Sequence, residues 1–274
     1  MSRPVRRMAI RWLPAYAALY ILFLYGPVLL LPLFSFNDSA TPTLPLAGFT
    51  WRWYEQLAGN QEMIDAAWNS LGVGLAVAVM STLLGICGAR AVTRYRFTGK
   101  RAMSGLIMAP LVLPEIIVAI SLLLVLLAFG MSLSLVTVTL GHVLICLPYS
   151  MVVLISGFEG FDRSLEEASA DLGETAFGTL RRVTLPMVAP AIIASLLVSF
   201  TISFDEFIVA FFLSGADPTL PIYIWGQLRF ASRLPSVLAL GTIMLVVSFV
   251  LVTIAEMLRR RAASRTNTDG GLFA

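Results

Sequence analysis

Six stretches of this chain, at about 13–36, 66–89, 102–129, 133–158, 187–213 and 237–258, are each apolar for long enough to cross a bilayer as a helix. A hydrocarbon core about 30 Å thick takes roughly 20 helical residues to span. Inside it, every backbone N–H and C=O must find a partner within the protein, which leaves helices as the structure such runs adopt. The expected fold class is therefore an all-α membrane protein with six transmembrane helices in a single domain covering 1–274. The surface chemistry agrees: only 13% of residues are charged, whereas a soluble domain carries about 25%. The first run follows Arg3, Arg6, Arg7 and Arg11, as a secretory signal would. It is too long for a signal-peptide core and lacks a small-x-small cleavage site, so it reads as a retained span.

Six spans place both termini on one side, and the basic residues say which. Grouping the N-terminus, the loop after span two, the loop after span four and the C-terminus on one face leaves only Arg52, Arg229 and Arg233 of the 19 Lys and Arg on the other. Short basic loops stay in the cytoplasm, so both termini are expected there.

Smaller features fit a helical membrane protein. The outer loop 37–65 carries Trp51, Trp53 and Tyr54, which suit an interfacial segment containing a short helix. Pro110, Pro114 and Pro148 lie within spans, where prolines mark kinks. Gly72, Gly74, Gly85 and Gly88 allow close helix approach. Cys87 and Cys146 sit in apolar runs and are expected to be buried as small hydrophobes. His142, the sole histidine, has no second ligand nearby in sequence and is expected to bond a neighbouring helix. The tail beyond Arg261 is polar and reads as disordered, and Glu256 pairs locally with Arg259 or Arg260.

The inner loop 159–186 is the most informative segment. Leu165, Ala168 and Leu172 recur at helical spacing on a polar stretch, Gly173 interrupts the pattern, and a second short helix is expected to follow. Glu166 and Glu167 favour a helix start, Arg181 and Arg182 a helix end. A lipid-surface helix would be basic. The acidic first helix points instead to a protein partner.

Glu167-Ala168-Ser169, then Gly173, then Val183-x-Leu185-Pro186 resembles the EAA signature of ABC-importer permeases, with Ser169 where alanine is common. Tyr25-Gly26-Pro27, Ser35-Phe36-Asn37-Asp38-Ser39, the run from Arg94 to Lys100, Ala109 to Glu115 and Phe200 to Glu206 resemble the putrescine/spermidine importers, specifically their second permease subunit. The resemblance implies a type I ABC-importer permease fold in the bacterial inner membrane. It implies that Glu167, Ala168, Ser169, Gly173, Leu185 and Pro186 form an ATPase-coupling element. It also implies a second homologous permease subunit, two cytoplasmic ATPase subunits and an extracytoplasmic solute-binding protein, with lipid around them and no nucleic acid. No cofactor is expected in this chain; ATP and Mg belong to the partner ATPase. The chain carries no phosphate loop of its own, since Gly99-Lys100 is followed by Arg101 where Ser or Thr is required.

Three acids fall within spans: Glu115 in the third, Asp205 and Glu206 in the fifth. A charge near the bilayer centre costs about 2.5–3.5 kcal/mol on insertion scales. A pathway for an organic cation would offset that, and these three are the candidate pathway residues. On one helix, Asp205 and Glu206 would point about 100° apart. The alternatives are a different solute on the same fold (an amino acid derivative, an opine, thiamine or an iron species) or an ion-driven secondary transporter. The coupling loop disfavours the secondary transporter, and no catalytic constellation supports an enzyme.

Overall fold

The computed structural model describes residues 7–268, with side chains described at 12–250 and at Thr253. The side chains of Arg3, Arg6, Arg7 and Arg11, of Glu256, Arg259, Arg260, Arg261 and Arg265, and the end of the C-terminal tail lie outside the described set. Within that set the helices pack as two units, one drawn from the residues up to Asn60 with Ile224–Phe249, the other from Gln61–Tyr223 with the residues from Val250 onward.

In the first unit, α1 (Arg7–Ser35) keeps Pro14, Pro27 and Pro32 within one continuous helix. Its described side chains are almost all exposed and apolar from Trp12 to Leu33, as befits a helix that faces lipid or another protein rather than its own core. The chain then folds into a pinned loop. Asn37 pairs with Phe49 across a single β-bridge, its Oδ1 accepts Ala47 N–H at 2.9 Å, and its carbonyl accepts Trp53 Nε1–H at 2.8 Å. Phe36, Phe49, Trp51 and Tyr54 cluster above this, with Phe36 stacked on Phe49 at 4.9 Å. The expected short helix is α2 (Arg52–Ala58). Trp53 differs from expectation: it is buried in the loop as a structural pin, because its ring fills the loop while its indole N–H meets a carbonyl.

The second unit is built on α3 (Gln61–Arg94), α6 (Leu135–Glu159) and α10 (Ala189–Asp205). Their contact faces use small residues, since without water the helices gain from close van der Waals approach rather than from hydrophobic burial. A Cβ on Gly85 would run into Ser150, and one on Gly157 into Ala191. Polar bonds cross the same seam. Ser195 Oγ lies 2.9 Å from Thr82 Oγ1 and 2.6 Å from Ser150 Oγ, and Ser150 Oγ donates to the Ser81 carbonyl at 2.9 Å. His142 Nδ1 meets Ser203 Oγ at 2.8 Å, a bond to a neighbouring helix as its sequence context predicts. Cys146 is buried, whereas Cys87 is exposed on the outer face of α3. Its apolar surroundings in sequence were those of a lipid- or partner-facing surface, not of a core.

Two of the six expected spans are broken. Lys100–Leu111 and Glu115–Ala128 meet at 107°: α4 (Lys100–Met108) tightens into a 3-10 turn at Ala109–Leu111, and α5 (Glu115–Ala128) starts after Pro114. Proline there lacks an N–H and starts the next helix. The expected run 187–213 is also discontinuous. Ala176–Met187 and Ala189–Asp205 bend by 71°, and α10 stops at Asp205, where Glu206 is extended with φ −71° and ψ 120°. A short α11 (Ile208–Leu213) then follows. Counting each bent pair as one span gives six among the described residues, and four without them. The chain continues through α12 (Leu220–Gln227) into α13 (Leu234–Thr268).

Candidate functional site

The inner loop forms a helix, a tight turn and a second helical run. In α7 (Ser164–Asp171), Glu166 and Glu167 occupy the first turn, where acids favour the positive end of the helix dipole. Gly173 ends it with φ +84°. Gly173 N–H donates to the Ala170 carbonyl at 2.9 Å, and Glu174 N–H reaches back to that of Ser169 at 3.2 Å. That pair of bonds is a Schellman C-cap, which needs a left-handed residue and hence glycine. The second run begins with Thr175 capping α8 (Ala176–Thr179) through its hydroxyl, 3.1 Å from Gly178 N. It passes through a π turn at Leu180–Thr184 into α9 (Leu185–Met187), where Pro186 falls in the first turn, a position that tolerates proline.

The residues singled out by the sequence have distinct surroundings. Glu167 is exposed and pairs with Arg163 at 3.0 Å, a contact worth a few tenths of a kcal/mol. Ala168 supplies the carbonyl that accepts Leu172 N–H. Ser169 Oγ lies 2.9 Å from Thr179 Oγ1 and so ties the two helices of the loop together. Leu185 is half-buried and Pro186 exposed.

Other residues carry the structure of this site. Glu166, next to the motif acid, is the enclosed one: Arg94 Nε at the end of α3 lies 2.9 Å from its Oε2, with side-chain exposures of 12% and 13%. The contact lies off the N–H direction, so it is an ion pair rather than a linear hydrogen bond. Thr184 Oγ1 donates to Glu166 Oε1 at 2.6 Å, and Arg94 also donates to the Phe161 carbonyl at 3.2 Å while lying over that ring. Leu172 and Phe177, by contrast, are 89% and 71% exposed. They flank Gly173 and give the loop an apolar outer face. Phe177 shares no helical stripe with Leu165 and Leu172, so periodicity could not flag it. A lone aromatic in a polar loop was the available signal.

The acids expected in spans all stand at helix breaks. Glu115 opens α5 directly after Pro114 and is exposed. Asp205 is the last residue of α10, exposed. Glu206 follows in extended backbone, half-buried, and its Oε1 accepts Val209 N–H at 2.9 Å, capping α11. The expected 100° divergence on a continuous helix is thus replaced by divergence across a break. α11 packs on α5 and α6, so the breaks that carry Glu206 and Glu115 belong to neighbouring helices. The C-terminal end of α10 adds the negative end of its dipole beside Asp205. The ensemble offers acceptors and negative charge, a match for ammonium groups and a poor match for anions. Among the described residues no three His, Cys, Asp or Glu approach closely enough to hold a metal ion.

Residues 81–264 match the family described as binding-protein-dependent transport system inner membrane component. The spermidine/putrescine transport system permease protein PotC of Haemophilus influenzae is 38% identical over 87% of this chain and 93% of its own length. The putrescine transport system permease protein PotI of Escherichia coli K12 is 36% identical over 90% of both chains. Among solved structures, a bacterial ABC transporter that imports the acidic polysaccharide alginate superposes with a TM-score of 0.71 at 18% identity, covering 93% of this chain and 95% of that one. A chain of the MetNI methionine ABC transporter gives 0.60 at 14% identity, covering 73% and 95%.

Proposed function

The chain belongs to the family of inner membrane components of binding-protein-dependent transport systems, and from that premise we propose that it forms the transmembrane path for a polyamine in an ABC importer. It is an inner-membrane transport permease rather than an enzyme, and it has the type I permease fold. The polyamine assignment rests on one observation above the others: similarity at 36–38% identity over most of the chain to permeases named for spermidine and putrescine. The chemistry of Glu115, Asp205 and Glu206 supports the same reading.

In this reading a binding protein delivers the solute to the outer face. The solute's ammonium groups exchange water for the carboxylates at the two breaks. Irregular backbone is tolerated at membrane depth where it lines a water-filled path or is buried in protein, and each break places a carboxylate at such a point. Glu206 is fixed by the α11 N–H that it accepts, so it is the oriented member of the group. One of two ATPase subunits takes up the apolar face around Leu172 and Phe177, the other docks on a second permease subunit, and ATP with Mg acts on the ATPases. That second permease subunit completes the path.

The test uses the assembled complex in lipid with its binding protein, measuring ATPase stimulation and uptake with putrescine and spermidine. Glu206→Gln retains an oxygen to accept Val209 N–H but removes the charge. Its expected result is stimulation by polyamine in the wild-type complex and uptake reduced by about tenfold or more in the variant, as for loss of about 1.4 kcal/mol of charge-assisted binding. Stimulation by a different solute alone would remove polyamine from the reading, and unchanged polyamine uptake in Glu206→Gln, Asp205→Asn and Glu115→Gln would remove the acids.

A further inference from the structure

We propose that Arg94 and Glu166 form the joint through which movement of the coupling loop enters the membrane helices. The inference rests on the reading that the loop docks an ATPase, and assigns a positioning role to two residues outside the motif.

Several polar contacts of the loop lie within the loop itself. Arg163–Glu167 lies within α7 itself, exposed on both sides. Arg182–Glu174 at 2.8 Å lies within the loop, with Arg182 exposed. Ser169–Thr179 joins one loop helix to the other. Such contacts fix the loop's internal shape and transmit nothing outward. Arg94–Glu166 differs in kind, because it is enclosed and joins α7 to the end of a 34-residue membrane helix.

Glu166 is held from two sides, by Arg94 on one oxygen and Thr184 on the other. The guanidinium is held by the Phe161 carbonyl and ring as well. The end of α3, the first loop helix and the π turn of the second run therefore meet at one carboxylate, while Phe161, two residues beyond α6, holds the guanidinium. Phe161 is itself part of the apolar cluster with Ala89, Leu154, Phe158 and Val188, so the joint has an apolar backing that prevents it from sliding. Beyond it, α3, α6 and α10 are tied by the hydroxyls of Thr82, Ser150, Ser195 and Ser203, the Ser81 carbonyl and His142. A displacement of α7 thus acts on a cross-braced three-helix body whose α10 ends at Asp205.

An enclosed ion pair adds little net stability over an apolar pair of the same shape, but loss of one partner leaves an uncompensated charge. The role therefore lies in fixing direction: Glu166 moves Arg94 and not merely its own helix.

The experiment reconstitutes the full complex with Glu166→Gln, Arg94→Met and the exchange of both (Arg94→Glu with Glu166→Arg). Co-purification of the ATPase subunits and the ratio of solute-stimulated to basal ATPase are measured for each, beside Leu172→Ala with Phe177→Ala as a docking control. Both single variants are expected to keep the ATPase subunits bound and to lower the stimulation ratio by roughly 2- to 30-fold, the span of mutations along coupling networks. The exchange is expected to recover part of that ratio. An unchanged ratio in both single variants overturns the joint, and so does loss of ATPase binding in them, which would make the pair part of docking. If the Leu172/Phe177 control binds ATPase as wild type does, the docking reading fails first and the joint with it.

Discussion

Replacing Gly173 separates backbone conformation from steric crowding at the coupling loop. Its φ of +84° falls where a Cβ meets the following carbonyl, yet nothing lies within 4 Å of the Cβ that a substitution would add. The penalty is therefore conformational, roughly 1–2 kcal/mol for an L residue held left-handed, and more for a β-branched one. Asparagine tolerates this region best after glycine. If the loop can relax into another shape when strained, the competent fraction falls by at most about 5- to 30-fold, and the apparent affinity for the ATPase falls by the same factor. The expected order of ATPase affinity is Gly173, then Gly173→Asn, Gly173→Ala and Gly173→Val, measured by titrating ATPase subunit against permease in nanodiscs. Equal affinity in Gly173→Val and wild type would refute the reasoning that the Schellman turn sets the docking face. Asparagine as damaging as valine would show that space, not φ, is limiting.

Two further outcomes follow from the same geometry. Gly85→Ala should lower the thermal midpoint of the purified chain, because its Cβ would meet Ser150 and Leu154, and overpacking costs about 1–3 kcal/mol. Gly72→Ala, with nothing within 4 Å, should raise it through helix propensity of about 0.5–1 kcal/mol; shifts of the same sign would contradict the close α3–α6 approach. Asp162, in the loop before α7, is held below the ordinary aspartate value by accepting the Ser164 N–H at 3.0 Å, with a further contribution from the Ser164 hydroxyl. A depressed folded pKa supports the fold above the unfolded value and loses that support as pH falls through the folded one. The Ser164 amide resonance should accordingly titrate below about 3.9, and titration at or above it would show the bond to be absent.

The apolar runs carried the architecture plainly, because lipid permits so few backbone solutions. What they concealed were the interruptions. Pro110 and Pro114 hinted at the first break, but proline is compatible with an unbroken helix here, as Pro148 within α6 demonstrates. The stop at Asp205 has no Pro or Gly beside it and depends on tertiary packing of α11 against α5 and α6. Ser195, Ser199 and Ser203, four residues apart, were a legible stripe of hydroxyls in an apolar helix, and all three are buried. Of the adjacent acids Glu166 and Glu167, the sequence marks the second through its motif, while the fold encloses the first. Two neighbouring residues on a short helix differ by about 100° in direction, and only the position of Arg94 decides which one turns inward.

Arg94 closes α3, five residues or roughly 7.5 Å beyond the buried Ala89. A guanidinium just beyond the end of a span is ordinarily available to anionic headgroups. Enclosed under Phe161 and against Glu166, this one is withdrawn from that competition. The connection between loop and membrane helix is thereby expected to respond little to anionic lipid, which varying the anionic lipid content of the nanodisc would check.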